Sequence, residues 1–127
     1  MVLDAGALIE IERGTRWIVA LLAEVAAADG EIVIPAGVLA QVWRGPASAR
    51  IARVVKARQT QVVPLNASNA YAVGELLGGT GTVDVVDASV VLAARAHGHS
   101  IVTSDVRDLR KLDPSASLFR ADTGGPG

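Results

Sequence analysis

Short apolar runs alternate along the chain with longer segments whose apolar residues recur every three or four positions. Short, β-branched runs are typical of buried strands, and they occupy 1–4, 31–34, 60–65 and 100–103, with a weaker fifth at 117–119. The longer segments predict amphipathic helices, with stripes at Trp17/Ile18/Leu21/Leu22/Val25, Val38/Leu39/Val42/Trp43, Ile51/Val54/Val55 and Ala70/Val73/Gly74/Leu77. This alternation predicts parallel βαβ units, and hence an α/β sandwich with helices on both faces of one sheet.

The segment 84–97 differs from the other helical segments because it is apolar on almost every side, which predicts a helix buried in the interior.

With 127 residues the chain has room for one domain. We expect that domain to span 1–120. The glycine-rich residues at 121–127 are predicted to form a flexible tail.

Composition excludes several classes of function. The net charge is -1, from 12 Lys+Arg and 13 Asp+Glu, so no global basic field marks a nucleic-acid binder. Cysteine is absent, which excludes thiol nucleophiles and cysteine-ligated zinc, and His97 and His99 form no HExxH zinc pair. Charges interrupt every apolar stretch well before the roughly 20 residues that a membrane span needs. Because no signal-peptide pattern is visible either, we expect a cytoplasmic protein.

Four aspartates lie at the ends of predicted strands or the starts of predicted helices. Asp4 and Asp105 follow strands, and Asp84 and Asp87 open the apolar helix one turn apart. Taken singly, Asp4, Asp84 and Asp105 each fit a helix N-cap as well as a functional role. Asp87 is harder to explain, because a carboxylate on a buried helix is costly without a partner and no Lys or Arg is near it in sequence. If the sheet brings these acids together they require a cation, and oxygen-only ligands favour Mg²⁺ or Mn²⁺.

The ordered set of motifs resembles the PIN-domain nucleases, and within them the VapC toxins of bacterial toxin–antitoxin pairs. The motifs that carry the resemblance are Val2-Leu3-Asp4-Ala-Gly-Ala-Leu, Ile-Pro35-Ala-Gly-Val-Leu-Ala-Gln41-Val-Trp-Arg44, Val-Asp84-Val-Val-Asp87-Ala-Ser and Ile-Val-Thr103-Ser104-Asp105. The resemblance implies a PIN-like three-layer sandwich, with a central, mostly parallel twisted sheet of four or five strands between helices. It also implies acidic residues gathered around one or two divalent ions.

Carried over by position, the resemblance implies Asp4, Asp87 and Asp105 as catalytic metal ligands, Gln41 at a further catalytic position, and Asp108 as an outer member of the last motif. Asp84 is an additional candidate metal ligand because it lies one helical turn from Asp87. Two departures from the family pattern stand out. Gln41 replaces the usual Glu and removes one negative charge from the site, which Asp84 would restore. Gly6 stands where the family often has Ser or Thr, so the hydroxyl must come from Ser104 or Thr103.

The implied activity is metal-dependent hydrolysis of RNA phosphodiester bonds. The segment 44–58 carries five cations and no acid, and we expect Arg44, Arg50 and Arg53, with Ser104, to bind the substrate. The same segment also fits an ordinary solvated helix face. The resemblance further implies a cognate antitoxin and a homodimer.

Three other interpretations remain open. A PIN-like module weakened by the loss of its Glu would act mainly through protein or RNA binding. A phosphatase-type enzyme would use Asp4 as nucleophile but requires a second Asp two residues later, which this chain lacks. A phospho-receiver domain requires a Lys after its last strand, and residues 100–105 contain none.

Trp17, Trp43 and Tyr71 fit their helical stripes and are predicted to be core residues, although they could also serve an interface.

Overall fold

The computed structural model describes residues 1–127, which form a five-stranded sheet whose strands all run parallel. The strands are β1 (Val2–Leu3), β2 (Ile32–Pro35), β3 (Thr60–Val63), β4 (Ile101–Thr103) and β5 (Leu118–Arg120). Their order across the sheet is β3-β2-β1-β4-β5, so the first strand of the chain is the central one. Val2 pairs with Val33 on one side and with Ile101 on the other. The predicted α/β class and parallel sheet are confirmed.

Seven α-helices flank the sheet. They are α1 (Ala5–Arg13), α2 (Arg16–Ala27), α3 (Ala36–Val42), α4 (Ala49–Lys56), α5 (Ala67–Thr80), α6 (Val85–His97) and α7 (Val106–Leu112), with a 3₁₀ turn at Gly45–Ser48 before α4. Helix α6 packs against the three central strands, and its buried residues include Asp87, Val90 and Val91. The interior helix predicted at 84–97 is therefore present, with Asp84 as its N-cap.

The core lies between the central strands and the helices that cover them. Every residue of β1, β2 and β4 is buried, which explains why these runs are continuously apolar rather than alternating. Strand β3, at one edge of the sheet, is only partly buried. No single helix is long and apolar enough to cross a membrane, and α5 with α6 reach that length only as a pair bent by 106°.

The aromatic residues occupy different environments from one another. Trp17 is half-buried, and its Nε1–H donates a hydrogen bond to the carbonyl oxygen of Ala121 at 2.8 Å. The prediction that Trp43 and Tyr71 are core residues is wrong, because they are 42% and 76% exposed. Trp43 follows the last residue of α3, and Tyr71 lies two positions before Val73, on the other side of a helix that buries only Val73.

Residues 121–127, for which the sequence predicts a flexible tail, fold back along β5 in the structure. Ala121 is fully buried, and the N–H of Gly127 donates to the carbonyl oxygen of Leu118 at 2.8 Å. An antiparallel bridge joins Phe119 to Pro126, while Gly124 lies directly against the Trp17 ring. These contacts cover part of the outer edge of the sheet.

Candidate active site

Three carboxylates converge at the carboxyl end of the central strands. Asp4 follows β1, Asp105 follows β4, and Asp87 lies in the first turn of α6. One oxygen from each side chain lies within 4.8 Å of the others. Because β1 and β4 are adjacent and parallel, the residues that follow them meet at the same edge of the sheet. Asp4 and Asp87 are 2% and 7% exposed, whereas Asp105 is exposed. The cluster is therefore mostly buried but open to solvent on the side of Asp105.

Thr103 organises the cluster from the last position of β4. Its hydroxyl donates to Asp4 Oδ2 at 2.7 Å and accepts the backbone N–H of Asp105 at 2.8 Å. The other carboxylate oxygen of Asp4 accepts the N–H of Ala5 at 2.8 Å. Asp105 occupies the N-cap position of α7, but its side chain makes no capping hydrogen bond. Its carboxylate is thus not committed to the helix.

No cation balances these charges within the protein. None of the six ion pairs in the structure includes Asp4, Asp87 or Asp105. Burial, reinforced by the charges of Asp84, Asp4 and Asp105, raises the pKa of Asp87 to about 7. Burial also raises the pKa of Asp4, although hydrogen bonds from Thr103 and Ala5 oppose that rise. Uncompensated carboxylates with only oxygen donors fit a divalent cation of the Mg²⁺ or Mn²⁺ type.

Asp84 and Asp108 lie around the cluster rather than in it. Asp84 is exposed, and its Oδ1 caps α6 by accepting the N–H of Asp87 at 2.9 Å. Asp108 is exposed in the first turn of α7 and pairs with Lys111 at 3.4 Å. Both charges contribute to the raised pKa of Asp87. The sequence allows Asp84 to be either a helix N-cap or a functional residue, and the structure shows that it is an N-cap.

Ser104 occupies the space that a side chain at position 6 would need. A Cβ atom placed on Gly6 would lie 2.0 Å from Ser104 Oγ and 2.7 Å from Ser104 Cβ. The chain therefore accommodates a side chain at position 104 or at position 6, but not both in this backbone geometry. The Ser104 hydroxyl, directly after β4, thus occupies the space beside Gly6 of α1.

Gln41 is exposed next to the last residue of α3, and it is not joined to the carboxylates by any hydrogen bond. The backbone carbonyl of Gln41 accepts a hydrogen bond from Arg44 Nη2 at 2.9 Å. Arg44 also donates to the carbonyl oxygen of Trp43 at 2.6 Å. The Arg44 guanidinium is therefore folded back onto the carboxyl end of α3.

The basic segment lies mainly on α4, whose cations are all exposed. Arg50 Nη1 donates to the carbonyl oxygen of Glu12 at 3.2 Å, which ties this cation to the end of α1. Arg53 is exposed one turn further along α4, while Ile51 on the opposite side is buried. Arg53 and Lys56, which make no ion pair in the structure, are therefore the cations of this helix that remain open to an anionic ligand.

Two features were not predicted from the sequence. The first is the role of Glu12, which does not pair with its neighbour Arg13, because Arg13 pairs with Glu10 at 3.0 Å. Glu12 Oε2 instead accepts the first N–H groups of α4, from Arg50 and Ile51, each at 3.0 Å. The second feature is a cluster of Glu31 with both histidines, for which the short spacing of His97 and His99 was the only signal.

Comparison with solved structures finds the same fold at low sequence identity. VapBC2 from Rickettsia felis, bound to a DNA fragment from their promoter, matches with a TM-score of 0.70 and 15% identity, over 94% of this chain and 96% of that chain. FitAB bound to the IR36 DNA fragment matches with a TM-score of 0.62 and 13% identity, over 95% of each chain. FitAcB from Neisseria gonorrhoeae matches with a TM-score of 0.61 and 14% identity, over 95% of this chain and 98% of that chain.

Comparison with curated proteins gives no significant match. A family model described as the PIN domain, however, matches residues 1–113. That stretch contains β1 with Asp4, α6 with Asp87 and β4 with Asp105, so the match includes the whole carboxylate cluster. Together with the parallel order β3-β2-β1-β4-β5, it establishes that this chain belongs to the PIN domain family.

Proposed function

We propose that the protein is a Mg²⁺- or Mn²⁺-dependent endoribonuclease that acts as the toxin of a toxin–antitoxin pair. The observation that carries the proposal is the convergence of Asp4, Asp87 and Asp105 without any cation from the protein. PIN domains are typically nucleases, which supports phosphodiester hydrolysis at this cluster. The choice of RNA as substrate rests on the resemblance of the motifs to VapC toxins.

In this proposal Asp4, Asp87 and Asp105 hold the metal, with Asp84 as an additional ligand at the exposed side of the cluster. A divalent ion held by these carboxylates would supply an activated water and would neutralise charge that develops on the scissile phosphate. Thr103 fixes the orientation of the Asp4 carboxylate through its 2.7 Å hydrogen bond. Burial of Asp4 and Asp87 limits the access of bulk water, which strengthens electrostatic interactions with the substrate.

The substrate strand would approach over the side of Asp105, where the cluster is exposed. Ser104, also exposed, offers a hydroxyl next to the carboxylates, and Arg53 offers an open cation on α4. Arg44 donates to the backbone carbonyl of Gln41, and Arg50 donates to that of Glu12. Each arginine would have to break this hydrogen bond before it could bind a phosphate. We therefore expect Arg53 to contribute more to RNA binding than either of them.

The proposal includes a protein partner and a second copy of the chain. The similar VapBC2 and FitAB structures support a paired antitoxin. Such a partner would cover the acidic cluster, and a homodimer would bury part of the helical surface. RNA hydrolysis restrained by an antitoxin is a reaction of the cytoplasm, which is where we place the protein.

The test is cleavage of a mixed-sequence RNA by the purified protein. We expect cleavage with millimolar Mg²⁺ or Mn²⁺, none with EDTA, and a loss of at least about 100-fold in rate for Asp87→Asn. Asp122→Asn changes an exposed acid outside the cluster and is the matched control, which should cleave like the wild type. Cleavage that persists in EDTA, or in Asp87→Asn, would refute the proposed mechanism.

A second candidate function is favoured by Gln41, because the structure does not join its amide to the carboxylates. In that case the protein is a catalytically weakened PIN module that acts mainly through binding. Gln41→Glu distinguishes the two candidates. If residue 41 faces the metal, the added charge should tighten Mg²⁺ binding by about tenfold, and cleavage should rise with it. Absent cleavage in both forms, with RNA binding retained, would favour the binding module.

A further inference from the structure

A second cluster of metal-ligating side chains lies at the opposite end of the sheet from the carboxylates. Glu31 directly precedes β2, His97 is the last residue of α6, and His99 lies two positions before β4. Glu31 Oε1 lies 2.9 Å from His97 Nδ1 and 2.8 Å from His99 Nε2. The three potential ligand atoms all lie within 4.8 Å of one another. Two imidazole nitrogens and one carboxylate oxygen therefore converge on one point.

This cluster is separate from the acidic cluster. His99 lies before the amino end of β4, whereas Asp105 lies beyond its carboxyl end. The three residues of β4 alone span about 10 Å, so one ion cannot contact both groups of ligands. The two groups also differ in chemistry, because the acidic cluster offers only oxygen atoms and this one offers mainly nitrogen.

We propose that Glu31, His97 and His99 form a binding site for Zn²⁺, with a water molecule completing the coordination. Zinc sites with three protein ligands commonly use two histidines and one glutamate. With zinc–ligand bonds of about 2.0–2.1 Å, neighbouring donors in a tetrahedral site lie about 3.3 Å apart. The observed separations from Glu31 Oε1 are 2.9 and 2.8 Å, so each histidine nitrogen needs to move only about half an ångström away from that oxygen.

The site is accessible to an ion from solution. The side chains of His97 and His99 are 24% and 25% exposed, and that of Glu31 is 42% exposed. The histidine rings stack with centroids 5.7 Å apart and an interplanar angle of 25°, which aims one nitrogen of each at the same carboxylate oxygen. Imidazole donors select Zn²⁺ over Mg²⁺, since Mg²⁺ prefers oxygen ligands.

A bound ion would join two chain segments that have no covalent link at this edge. Glu31 belongs to the loop before β2, and the two histidines flank the turn at Gly98 between α6 and β4. Because the site exists only in the folded chain, zinc binding would stabilise the native state. The inference does not depend on nuclease activity, since none of its ligands belongs to the acidic cluster.

The test is zinc titration of a protein without a polyhistidine tag, followed by calorimetry in millimolar Mg²⁺. Wild type and Asp87→Asn should each bind one equivalent of Zn²⁺ with micromolar or tighter affinity, because Asp87 is not a ligand of this site. The bound ion should also raise the melting temperature of both proteins. Co²⁺ in place of Zn²⁺ should give a visible absorption band that reports on nitrogen ligands.

The decisive variants retain the hydrogen bonds to Glu31 but remove the imidazoles. His97→Asn and His99→Gln place an amide N–H near the positions of Nδ1 and Nε2, so the double variant should fold while binding zinc at least 100-fold more weakly. Glu31→Gln should weaken binding in the same direction, whereas the control Glu24→Gln, at an exposed position on α2, should not. Unchanged zinc affinity in the double variant would overturn the proposal, as would loss of the zinc site in Asp87→Asn alone or no zinc binding by the wild type.

Discussion

Neutralising Asp87 should stabilise the metal-free protein, although it removes a residue of the proposed active site. The folded environment raises the pKa of Asp87 from 3.8 to about 7, chiefly through burial and then through the charge of Asp84. Each pKa unit corresponds to about 1.36 kcal/mol, so the ionised carboxylate costs the fold about 4 kcal/mol at neutral or higher pH. Water at the exposed side of the cluster screens part of this cost. We therefore expect Asp87→Asn to gain about 2–4 kcal/mol at about pH 8.

The gain should depend on pH in a defined direction. A carboxyl group whose pKa is higher in the folded state binds its proton more tightly there than in the unfolded chain. The wild type therefore has its full stability below the unfolded pKa near 4 and loses stability as the pH rises towards 7. Asparagine does not titrate, so the advantage of the variant should shrink by about 1–2.5 kcal/mol, somewhat more than half of it, between about pH 8 and pH 5.

The assay is urea unfolding of both proteins in EDTA at these two pH values. Thermal unfolding should show a melting temperature roughly 7–15 °C higher for the variant at about pH 8. Asp122→Asn, which removes an exposed carboxylate elsewhere, is the control and should change stability by less than about 0.5 kcal/mol at either pH. Millimolar Mg²⁺ should then stabilise the wild type but not Asp87→Asn. A variant less stable than wild type in EDTA at about pH 8, or an advantage equal at both pH values, would refute the electrostatic argument.

Three further changes test other contacts. Gly6→Ser should destabilise the fold by about 1–3 kcal/mol because of the clash with Ser104, and Ser104→Gly should recover part of that loss in a double-mutant cycle of urea unfolding. Glu12→Ala removes the acceptor for two N–H groups at the start of α4 and should cost about 1 kcal/mol, whereas alanine at an exposed glutamate of α2 should cost almost nothing. Replacing Arg50 and Arg53 by Ala should weaken binding of a non-cleaved RNA and leave metal affinity unchanged. The slope of the logarithm of the binding constant against the logarithm of the salt concentration should become shallower by up to about one unit per lost contact. An RNA affinity and a slope identical to those of the wild type would show that α4 is an ordinary solvated surface.

The sequence predicts the fold well because the sheet is simple and its strands are buried. Strands β1, β2 and β4 are covered on both faces, so their continuous apolar runs are visible without any alignment. Asp4 and Asp105 are likewise identified by position alone, since residues that follow parallel strands share one edge of the sheet. The burial of Asp87 was inferred from the apolar helix around it, and the structure agrees.

Contacts between residues distant in sequence could not be predicted in this way. The sequence names Ser104 and Thr103 as alternative sources of a hydroxyl near Gly6, but the choice of Ser104 depends on how closely α1 approaches the end of β4, which no local pattern encodes. Glu12 caps a helix that begins almost forty residues later, so its capping role has no sequence signature. Apolar periodicity also failed for Tyr71, because it cannot tell a helix packed on the core from one that buries a single residue.

The central position of β1 has a consequence for how the protein is synthesised. Strand β1 is the first strand of this sheet to be synthesised, but it pairs with β4, and Asp4 receives its hydrogen bond from Thr103, which is 99 residues later in the chain. At typical translation rates roughly 5–20 s separate the two residues. A nascent chain that stops before β4 holds Asp4 and Asp87 but has neither the strand nor the hydroxyl that completes their cluster. Translation products that end before β4 therefore cannot assemble the carboxylate cluster, and any hydrolytic activity that depends on it appears only once Thr103 and Asp105 have emerged.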